Sequence, residues 1–367
     1  MKQFLYEHIY QDLLSKIERG EYAYGDYLPP ENQLCLDYDV SIITVRKALE
    51  QLKDTGLISK VKGKGSLVTA KIRSSALHSK SIAVLDIPFP FQMQSNYPEK
   101  EFPPAIFCDK NNWSHLLYSS LYHHVPKDYN VILASYNYDV ILNAYESTII
   151  QGIERIMILG YYDKRLVDFL HEKGKLVLVY NCFDKNIDVC SVGANTRKAF
   201  YEMTDYLYSL GHVHIAAVNG NISMSDNMER AMGYQERIIT SGNRIETNYI
   251  KWGNMTFESG YYLANEILDS NPEVTAFVCV NDNVALGVLH AVQERGLRCP
   301  EDVSIVGHDD NIFVNEIVPD FLTTINSHLD KVGEKIAEQL VRPVWIDDQS
   351  SIPYDLIFRK SVAPPRL

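Results

Sequence analysis

The chain has 367 residues, more than one ordinary hydrophobic core accommodates, so its length predicts two or three domains. Its apolar content of 46% is typical of a globular protein, and no run of about 18 apolar residues indicates a membrane span. Residues 1–20 carry charges throughout and lack the apolar segment of a signal peptide, so we expect a cytoplasmic protein. The six scattered cysteines form no CxxC pair, which argues against a disulfide or metal site.

Charge is distributed unevenly along the chain. The whole chain carries a net charge of −12, which taken alone argues against binding to a polyanion. Residues 41–73 nevertheless contain eight lysines and arginines against two acidic residues, a local net charge of +6. A basic face of this kind supplies affinity for phosphate groups, while the acidic remainder lowers nonspecific adhesion. Nucleic acid therefore remains a possible partner for this segment.

The first 56 residues contain three helical patterns. Leu5, Ile9, Leu13 and Ile17 recur every four residues and predict a first helix that ends near Gly20. A short second helix is expected over residues 31–38, after a Leu-Pro-Pro turn, with Leu34 buried. Ser41 is a suitable N-cap for a third helix that ends at Gly56. The apolar stripe of this third helix consists of Val45, Ala48, Leu49 and Leu52.

A basic hairpin follows the third helix. Residues 57–61 and 66–68 have strand character and flank the sequence KGKG at residues 62–65. Three helices and a hairpin form the winged helix-turn-helix plan, an α+β fold whose third helix enters the major groove of DNA. We expect two groups of DNA contacts. The helix supplies Ser41, Thr44, Arg46 and Lys47, and the wing tip supplies Lys62, Gly63, Lys64 and Gly65.

These residues resemble the GntR family of bacterial regulators. LPPE at residues 28–31 is similar to the LPSE of that family, and VSIITVRKAL at residues 40–49 is similar to its VSRxTVRxAL. GLI at residues 56–58 and GKGSLV at residues 63–68 complete the resemblance, which covers about seventy residues. The chain departs from the pattern at Ile42, where the family usually has a DNA-contacting arginine. The resemblance implies an operator that differs from the usual one, or a larger role for Lys47.

A second architecture begins after a polar segment. Residues 71–80 have no apolar period and suit a linker between domains at residues 1–70 and 81–367. Beyond it, strand and helix patterns alternate, which predicts an α/β domain of two lobes with parallel sheets and a ligand cleft at the carboxyl ends of the strands. Strands are expected at residues 82–85, 131–134, 155–159, 176–180, 214–218, 276–280 and 303–306, and helices at residues 197–210, 258–268, 283–295 and 329–340.

Several of these segments resemble the LacI/GalR effector domain, which shares its fold with the periplasmic sugar-binding proteins. They span residues 152–365, whereas residues 86–150 match poorly and residues 86–112 look like a rebuilt first loop. The similar sequences are SLGHVHIA at residues 209–216, RAMGY at 230–234, NMTFESGY at 254–261, AFVCVNDNVALG at 276–287, PEDVSIVGHDD at 300–310 and RKSVAPP at 359–365.

A GntR-type domain joined to a LacI-type domain is the arrangement of the arabinose-repressor (AraR) group. The junction sequence SALHS at residues 75–79 is also similar to that group. This resemblance implies a pentose effector, L-arabinose in particular. A nucleoside or phosphosugar effector is the alternative.

Five residues are candidates for effector binding. The resemblance places Arg230, Asp309, Asn281, Asn195 and Met255 at the cleft. An arginine fork donates to two adjacent hydroxyls, and a carboxylate accepts two hydroxyl hydrogen bonds. Met255 stands where the family has a stacking aromatic residue, so either stacking is weaker or Trp252 or Phe257 compensates. Asp282 is expected to cap a helix and is left out of the site.

The combined patterns predict a transcriptional regulator. We expect a repressor that binds a pseudo-palindromic DNA operator as a homodimer and responds allosterically to a small sugar. No GxSxG, GxxxxGK[ST] or HExxH sequence is present, so we expect no catalytic residues, cofactor or metal. A sugar-processing enzyme with an attached DNA-binding domain is the least favoured alternative.

Overall fold

The computed structural model describes residues 5–18, 21–55, 57–69, 80–88, 112–182, 184, 186–342, 345 and 347–366. Four sequence expectations fall wholly or largely outside these residues. They are the helix stops at Gly20 and Gly56, the linker up to residue 79, and the rebuilt loop between residues 89 and 111. The fold that remains is the expected one, an amino-terminal helix-turn-helix domain followed by a two-lobed α/β domain with parallel sheets.

The amino-terminal domain consists of three helices and a hairpin. Helices α1 (Leu5–Glu18), α2 (Glu31–Tyr38) and α3 (Ile42–Asp54) precede the antiparallel strands β1 (Ile58–Val61) and β2 (Gly65–Val68). Ser41 caps α3, as predicted, by accepting a hydrogen bond from the Thr44 amide at 3.3 Å. The apolar faces of the helices and the wing meet in one core. Its buried residues include Leu13, Leu34, Val45, Leu49, Leu52 and Val68.

The first lobe of the α/β domain is built on a six-stranded parallel sheet. The strands run in the order β13-β7-β6-β5-β3-β4, so the sheet receives its last strand from near the carboxyl end of the chain. Its elements are β3 (Ser81–Ile87), α4 (Asn112–His124), β4 (Asn130–Ser135), α5 (Tyr138–Asn143), β5 (Arg155–Gly160), α6 (Lys164–Glu172), β6 (Leu176–Tyr180), β7 (Cys190–Ala194), α12 (Leu329–Leu340) and β13 (Gln349–Ile352). Two short 3-10 helices, Tyr145–Ser147 and Ile149–Gly152, precede β5.

The second lobe is built on a four-stranded parallel sheet. Its strands run in the order β11-β10-β8-β9, and helices cover both faces, as parallel sheets require. Its elements are α7 (Thr196–Ser209), β8 (Ile215–Asn219), α8 (Ser225–Thr240), β9 (Ile250–Trp252), α9 (Phe257–Ser270), β10 (Ala276–Cys279), α10 (Asp282–Glu294), β11 (Ser304–Val306) and α11 (Ile312–Ile317). A 3-10 turn at Thr247–Tyr249 precedes β9.

Three chain segments connect the two lobes. The chain leaves the first lobe after β7, returns between β12 (Thr324–Asn326) and α12, and leaves again after β13 towards β14 (Asp355–Ile357). Strands β12 and β14 pair with each other in antiparallel fashion beside the lobes. Because the strands of both sheets are parallel, the loops at their carboxyl ends form the walls of the cleft.

Candidate functional site

The amino end of α3 presents the polar residues expected to contact DNA. The hydroxyl oxygens of Ser41 and Thr44 lie 2.9 Å apart, and Ser41 is exposed beside the exposed Arg46. Ile43, which the sequence did not single out, is 77% exposed on the same turn. An exposed apolar side chain at this position can contact a thymine methyl group in the major groove.

Arg46 is held by an acidic residue of α2. Its Nε lies 2.7 Å from one carboxylate oxygen of Glu31, and Lys60 Nζ of the wing lies 3.0 Å from the other. The hydrogen bond from Arg46 is the main cause of the lowered pKa of Glu31. Since Glu31 contacts Nε, the terminal nitrogens of the fork remain available for a base edge or a phosphate.

Lys47 and the wing tip occupy two further positions. Lys47 Nζ lies 3.8 Å from the centre of the Tyr6 ring on α1, so a cation–π contact fixes its direction. In the wing, Lys62 and Lys64 are exposed. Gly63 and Gly65 have φ values of 77° and 112°, a backbone region that side chains disfavour. The tight turn therefore brings the backbone and both ammonium groups to the tip of the hairpin.

A cleft of about 680 Å³, counting its open mouth, lies between the two lobes. Loops from the first lobe and from α8, β9 and β11 of the second lobe contribute its walls. Its described lining residues are Trp113, Gly160, Tyr161, Tyr162, Tyr180, Asn181, Ser223, Met224, Ser225, Asp226, Arg230, Met255, Asp309 and Leu329. The structure therefore brings together three of the five sequence candidates, which are Arg230, Met255 and Asp309.

Arg230 projects from α8 and is almost fully buried. Its Nη2 lies 2.5 Å from Asp226 Oδ2, and its Nη1 donates to the Val280 carbonyl oxygen at 2.6 Å. Burial lowers the pKa of the guanidinium, but the carboxylates of Asp226 and Asp309 outweigh burial and raise it. Arg230 Nε is buried without a hydrogen-bond partner among the described residues, so this arginine keeps an unsatisfied donor at the cleft.

The close approach of α8 to α7 depends on Gly233, in the same motif as Arg230. A Cβ at Gly233 would lie 2.0 Å from the Arg197 carbonyl oxygen. Any side chain there would push the two helices apart and displace Arg230 from the cleft.

Asp309 sits on a tightly held loop after β11. Its φ of 110° lies in a region that residues other than glycine rarely adopt, which costs about 1–3 kcal/mol and must be supported by neighbours. The Asp309 amide donates to the Ile325 carbonyl at 2.9 Å, and the adjacent His308 Nδ1 lies 2.6 Å from Asp309 Oδ1. His308 is buried, and its Nε2 lies 3.0 Å from Ser327 Oγ in the segment between the lobes. Burial is the main cause of its lowered pKa, so the imidazole is neutral and donates to Asp309.

Aromatic residues of the first lobe form the opposite wall. The rings of Trp113 and Tyr180 are stacked, with centroids 5.4 Å apart and an interplanar angle of 25°. Neither Trp252 nor Phe257, the two residues considered as replacements for the missing aromatic at Met255, is among the described lining residues. The aromatic surface therefore comes from the lobe opposite Met255.

Two polar contacts cross the cleft. Tyr162 OH of the first lobe lies 2.9 Å from Ser225 Oγ of the second, and Asn181 Nδ2 donates to Asp226 Oδ1 at 2.6 Å. Asn181 is 1% exposed, and its Oδ1 has no hydrogen-bond partner among the described residues. This oxygen packs against Gly193, where a Cβ would lie 1.7 Å from it, so Asn181 faces the cleft with the amide that binds Asp226.

The other two sequence candidates are helix caps. Asn195 Oδ1 accepts from the Lys198 amide at 3.0 Å, and Asn281 Oδ1 accepts from the Val284 amide at 2.9 Å. Neither is among the described residues that line the cleft. The expectation that Asp282 caps α10 was wrong by one residue. Asn281 is the cap, and the buried Asp282 instead accepts hydrogen bonds from Thr324 Oγ1 and the Asn311 amide, at 2.6 and 2.7 Å.

Sequence analysis missed most of the first-lobe wall. Tyr162, Tyr180 and Asn181 carry no motif of their own and reach the cleft because strands β5 and β6 end there, and Trp113 reaches it from the first turn of α4. Asp226 could have been found, because it precedes Arg230 by four residues and this spacing places two side chains on the same face of a helix. No group of three metal-ligating residues occurs among the described residues, and no described helix has the length and apolarity that crossing a membrane requires.

Two family profiles match the chain. Residues 5–68 match "Bacterial regulatory proteins, gntR family", and residues 126–360 match "Periplasmic binding proteins and sugar binding domain of LacI family". Among curated proteins, the HTH-type transcriptional repressor PurR of Vibrio atlanticus (strain LGP32) is 31% identical over 173 residues, which are 47% of this chain and 50% of that protein.

Two further relatives carry other names. The HTH-type transcriptional regulator CelR of Thermobifida fusca is 30% identical over 42% of this chain and 44% of its own length. The probable HTH-type transcriptional repressor ExuR of Bacillus subtilis (strain 168) is 26% identical over 59% of this chain and 65% of its own length. The chain spans about half the length of PurR and of CelR, the first two curated relatives named here.

Solved structures share the fold. A structure titled "transcriptional regulator CelR-cellobiose complex" superposes with a TM-score of 0.64 at 21% identity, covering 88% of this chain and 91% of that one. The dimeric Lac repressor with an 11-residue C-terminal deletion superposes with a TM-score of 0.65 at 18% identity, covering 78% of this chain and all of that one. Since the LacI profile spans most of the chain, this protein belongs to the family of periplasmic binding proteins and LacI-type sugar-binding domains, with a gntR-family helix-turn-helix domain before it.

Proposed function

We propose that the protein is a DNA-binding transcriptional repressor whose operator affinity falls when a small sugar fills the cleft. The observation that carries this proposal is the combination, in one chain, of an exposed α3 amino end with a two-lobed cleft that contains Arg230 and Asp309. The names of the matched relatives support a regulator, and two of those relatives are named as repressors.

The chemistry of the cleft favours a polyhydroxylated ligand. Arg230 Nε is a buried donor without a partner among the described residues, and Asp309 is a carboxylate that accepts hydroxyl hydrogen bonds. The stacked Trp113 and Tyr180 supply an apolar surface for the face of a sugar ring. A pentose is our preferred ligand and L-arabinose the first candidate, because of the resemblance to the arabinose-repressor group.

In the proposed mechanism, closure of the cleft changes the distance between the two DNA-binding domains of a dimer. One winged helix contacts only a half-site, so a homodimer bound to a pseudo-palindromic operator doubles the contacts. A ligand that binds one arrangement of the lobes better than the other shifts the spacing of the two DNA-binding domains. Coupling of this kind typically amounts to about 1–3 kcal/mol, or roughly 5–150-fold in operator affinity.

Two measurements on the full chain test the proposal. The operator is first identified by selecting bound duplexes from a random DNA library. Thermal unfolding is then followed with L-arabinose, D-xylose, D-ribose, D-galactose, D-glucose and adenosine, since a ligand at 100 times its dissociation constant stabilises the folded state by about 2.7 kcal/mol. A selected palindromic duplex and a selective rise with one sugar are expected. Failure to select any duplex, or stabilisation by adenosine alone, would contradict the proposal.

A further inference from the structure

Asp226 occupies the centre of the polar network in the cleft. It lies in the first turn of α8, and its side chain is only 13% exposed. The carboxylate accepts hydrogen bonds from Arg230 Nη2 at 2.5 Å, Asn181 Nδ2 at 2.6 Å and Thr196 Oγ1 at 2.7 Å. One carboxylate therefore contacts the only arginine among the described lining residues and also the opposite lobe.

The carboxylate of Asp226 balances the positive charge of Arg230 before any ligand binds. Nη2 is paired with Asp226 and Nη1 with the Val280 carbonyl, so the planar fork that would bind a carboxylate or phosphate with two parallel hydrogen bonds is already engaged. Nε has no partner among the described residues, and each terminal nitrogen keeps one further N–H. Because Asp226 already balances the positive charge of Arg230, the remaining N–H groups suit a hydroxyl group better than an anion.

The remaining charges in the cleft also oppose an anion. Of the described lining residues, Arg230 is the one cation and Asp226 and Asp309 are the two carboxylates, which leaves one excess negative charge. Burial raises the pKa of Tyr162 and of Tyr180, so both phenols remain neutral. Because the side chains of Arg230 and Asp226 are largely buried, an anionic ligand beside them meets repulsion that bulk solvent screens only in part.

We propose that Asp226 is a specificity-determining residue that makes the cleft select the uncharged form of a sugar over its carboxylate or phosphate form. The inference rests on the proposed function, because it assumes that the cleft binds a sugar. It goes further by assigning the discrimination to one side chain and by excluding sugar acids and phosphosugars as effectors.

Matched ligand pairs and one isosteric variant test the assignment. The pairs are L-arabinose with L-arabinonate, D-galactose with D-galacturonate, D-glucose with D-glucuronate, and D-ribose with D-ribose 5-phosphate. Dissociation constants are measured by titration calorimetry for the full-length wild type and for Asp226→Asn. In this variant, the amide oxygen can still accept from Asn181 and Thr196, while the amide nitrogen faces Arg230 and releases its fork.

The measured quantity is the ratio of the anion's dissociation constant to that of its uncharged partner. We expect this ratio to be large in the wild type and to fall by about 100-fold in Asp226→Asn, since placing like charges together costs several kcal/mol. Glu229→Gln is the matched control, because it removes a carboxylate from the same helix that is not among the described lining residues. Its ratio should equal that of the wild type.

Each outcome has a distinct meaning. A wild type that binds an anion as tightly as its uncharged partner overturns the inference without any variant. An unchanged ratio in Asp226→Asn, with the uncharged sugar still bound, overturns it as well. If Asp226→Asn does not fold, Asp226→Ser is measured in its place under the same criteria. A wild type that binds neither member of any pair contradicts the proposed function instead.

Discussion

His308 donates a hydrogen bond from Nδ1 to Asp309 Oδ1 at 2.6 Å, so a neutral buried imidazole orients a carboxylate of the cleft. Its other nitrogen contacts Ser327, in the segment that crosses between the lobes. The same contact therefore links the ligand-facing loop to the hinge.

The lowered pKa of His308 predicts that acid destabilises the protein. Burial disfavours the charged imidazole, so the folded state binds this proton less readily than the unfolded chain, whose histidines have a pKa of about 6.5. The stabilising contribution is therefore complete above about pH 6.5 and is lost as the pH falls below it. Urea unfolding at several pH values from 7.5 down to 5.5 should show a declining free energy of unfolding.

Two variants test which histidine causes the decline in stability at low pH. Burial also lowers the pKa of His212, which lies away from the cleft and contacts Thr275 and the Ala363 carbonyl. His308→Gln and His212→Gln should each reduce the slope of stability against pH. Only His308→Gln should also weaken sugar binding. If its slope and its sugar affinity both match those of the wild type, His308 does not orient Asp309 in the proposed way.

Arg46→Ala should weaken operator binding by about tenfold or more, the loss expected for a good contact to a base edge. Gel-shift titration on the selected operator measures the change, and the thermal response to sugar should be retained. Arg197→Ala is the matched control, because Arg197 is exposed and pairs with Glu236 at 3.0 Å much as Arg46 pairs with Glu31. Equal operator affinity in wild type and Arg46→Ala would show that Arg46 does not contact the operator.

Asn281→Ala should cost stability without a comparable loss of sugar affinity. Removing an asparagine N-cap typically costs about 1 kcal/mol, and Asn281 Nδ2 also donates to the Met255 carbonyl at 3.2 Å. Asn195→Ala removes a cap of the same kind from α7 and serves as a comparison. Chemical unfolding and calorimetry measure the two properties separately. A tenfold loss of sugar affinity at unchanged stability would instead show that Asn281 contacts the ligand.

Trp113 should report sugar binding by fluorescence. It is stacked on Tyr180 in the cleft, whereas Trp252 and Trp345 are not among the described lining residues. A ligand that packs against the stacked pair changes the polarity around Trp113 and hence its emission. Trp113→Phe should abolish the change, while Trp252→Phe should retain it. The same signal in Trp113→Phe would place the ligand elsewhere.

Local signals predicted the fold well. Helix α2 and strand β6 begin and end at the predicted residues, because a proline turn precedes one and a continuous apolar run forms the other. Strands β7, β9, β12, β13 and β14 were not predicted. They are only three to five residues long, and their strand structure depends on pairing with strands distant in sequence.

The candidate site was predicted only from the lobe that carries the motifs. Arg230 was found because its motif resembles that of the family and places it on a helix, and Asp309 because it follows the carboxyl end of a predicted strand. Trp113, Tyr180 and Asn181 lie at least 49 residues before Arg230 and contact the ligand space only after the lobes associate. No local sequence pattern records that association. Asn281 was assigned to the ligand because a cap and a ligand use the same amide oxygen.

The claim that sugar in the cleft controls DNA binding is tested most directly by one dissociation constant. It is that of the full-length protein for its selected operator, measured with and without the stabilising sugar. We expect saturating sugar to weaken operator binding by roughly 5–150-fold in the wild type. Arg230→Ala should bind the operator normally and show no such change. An operator affinity that the sugar leaves unchanged in the wild type would contradict the claim that the cleft controls DNA binding.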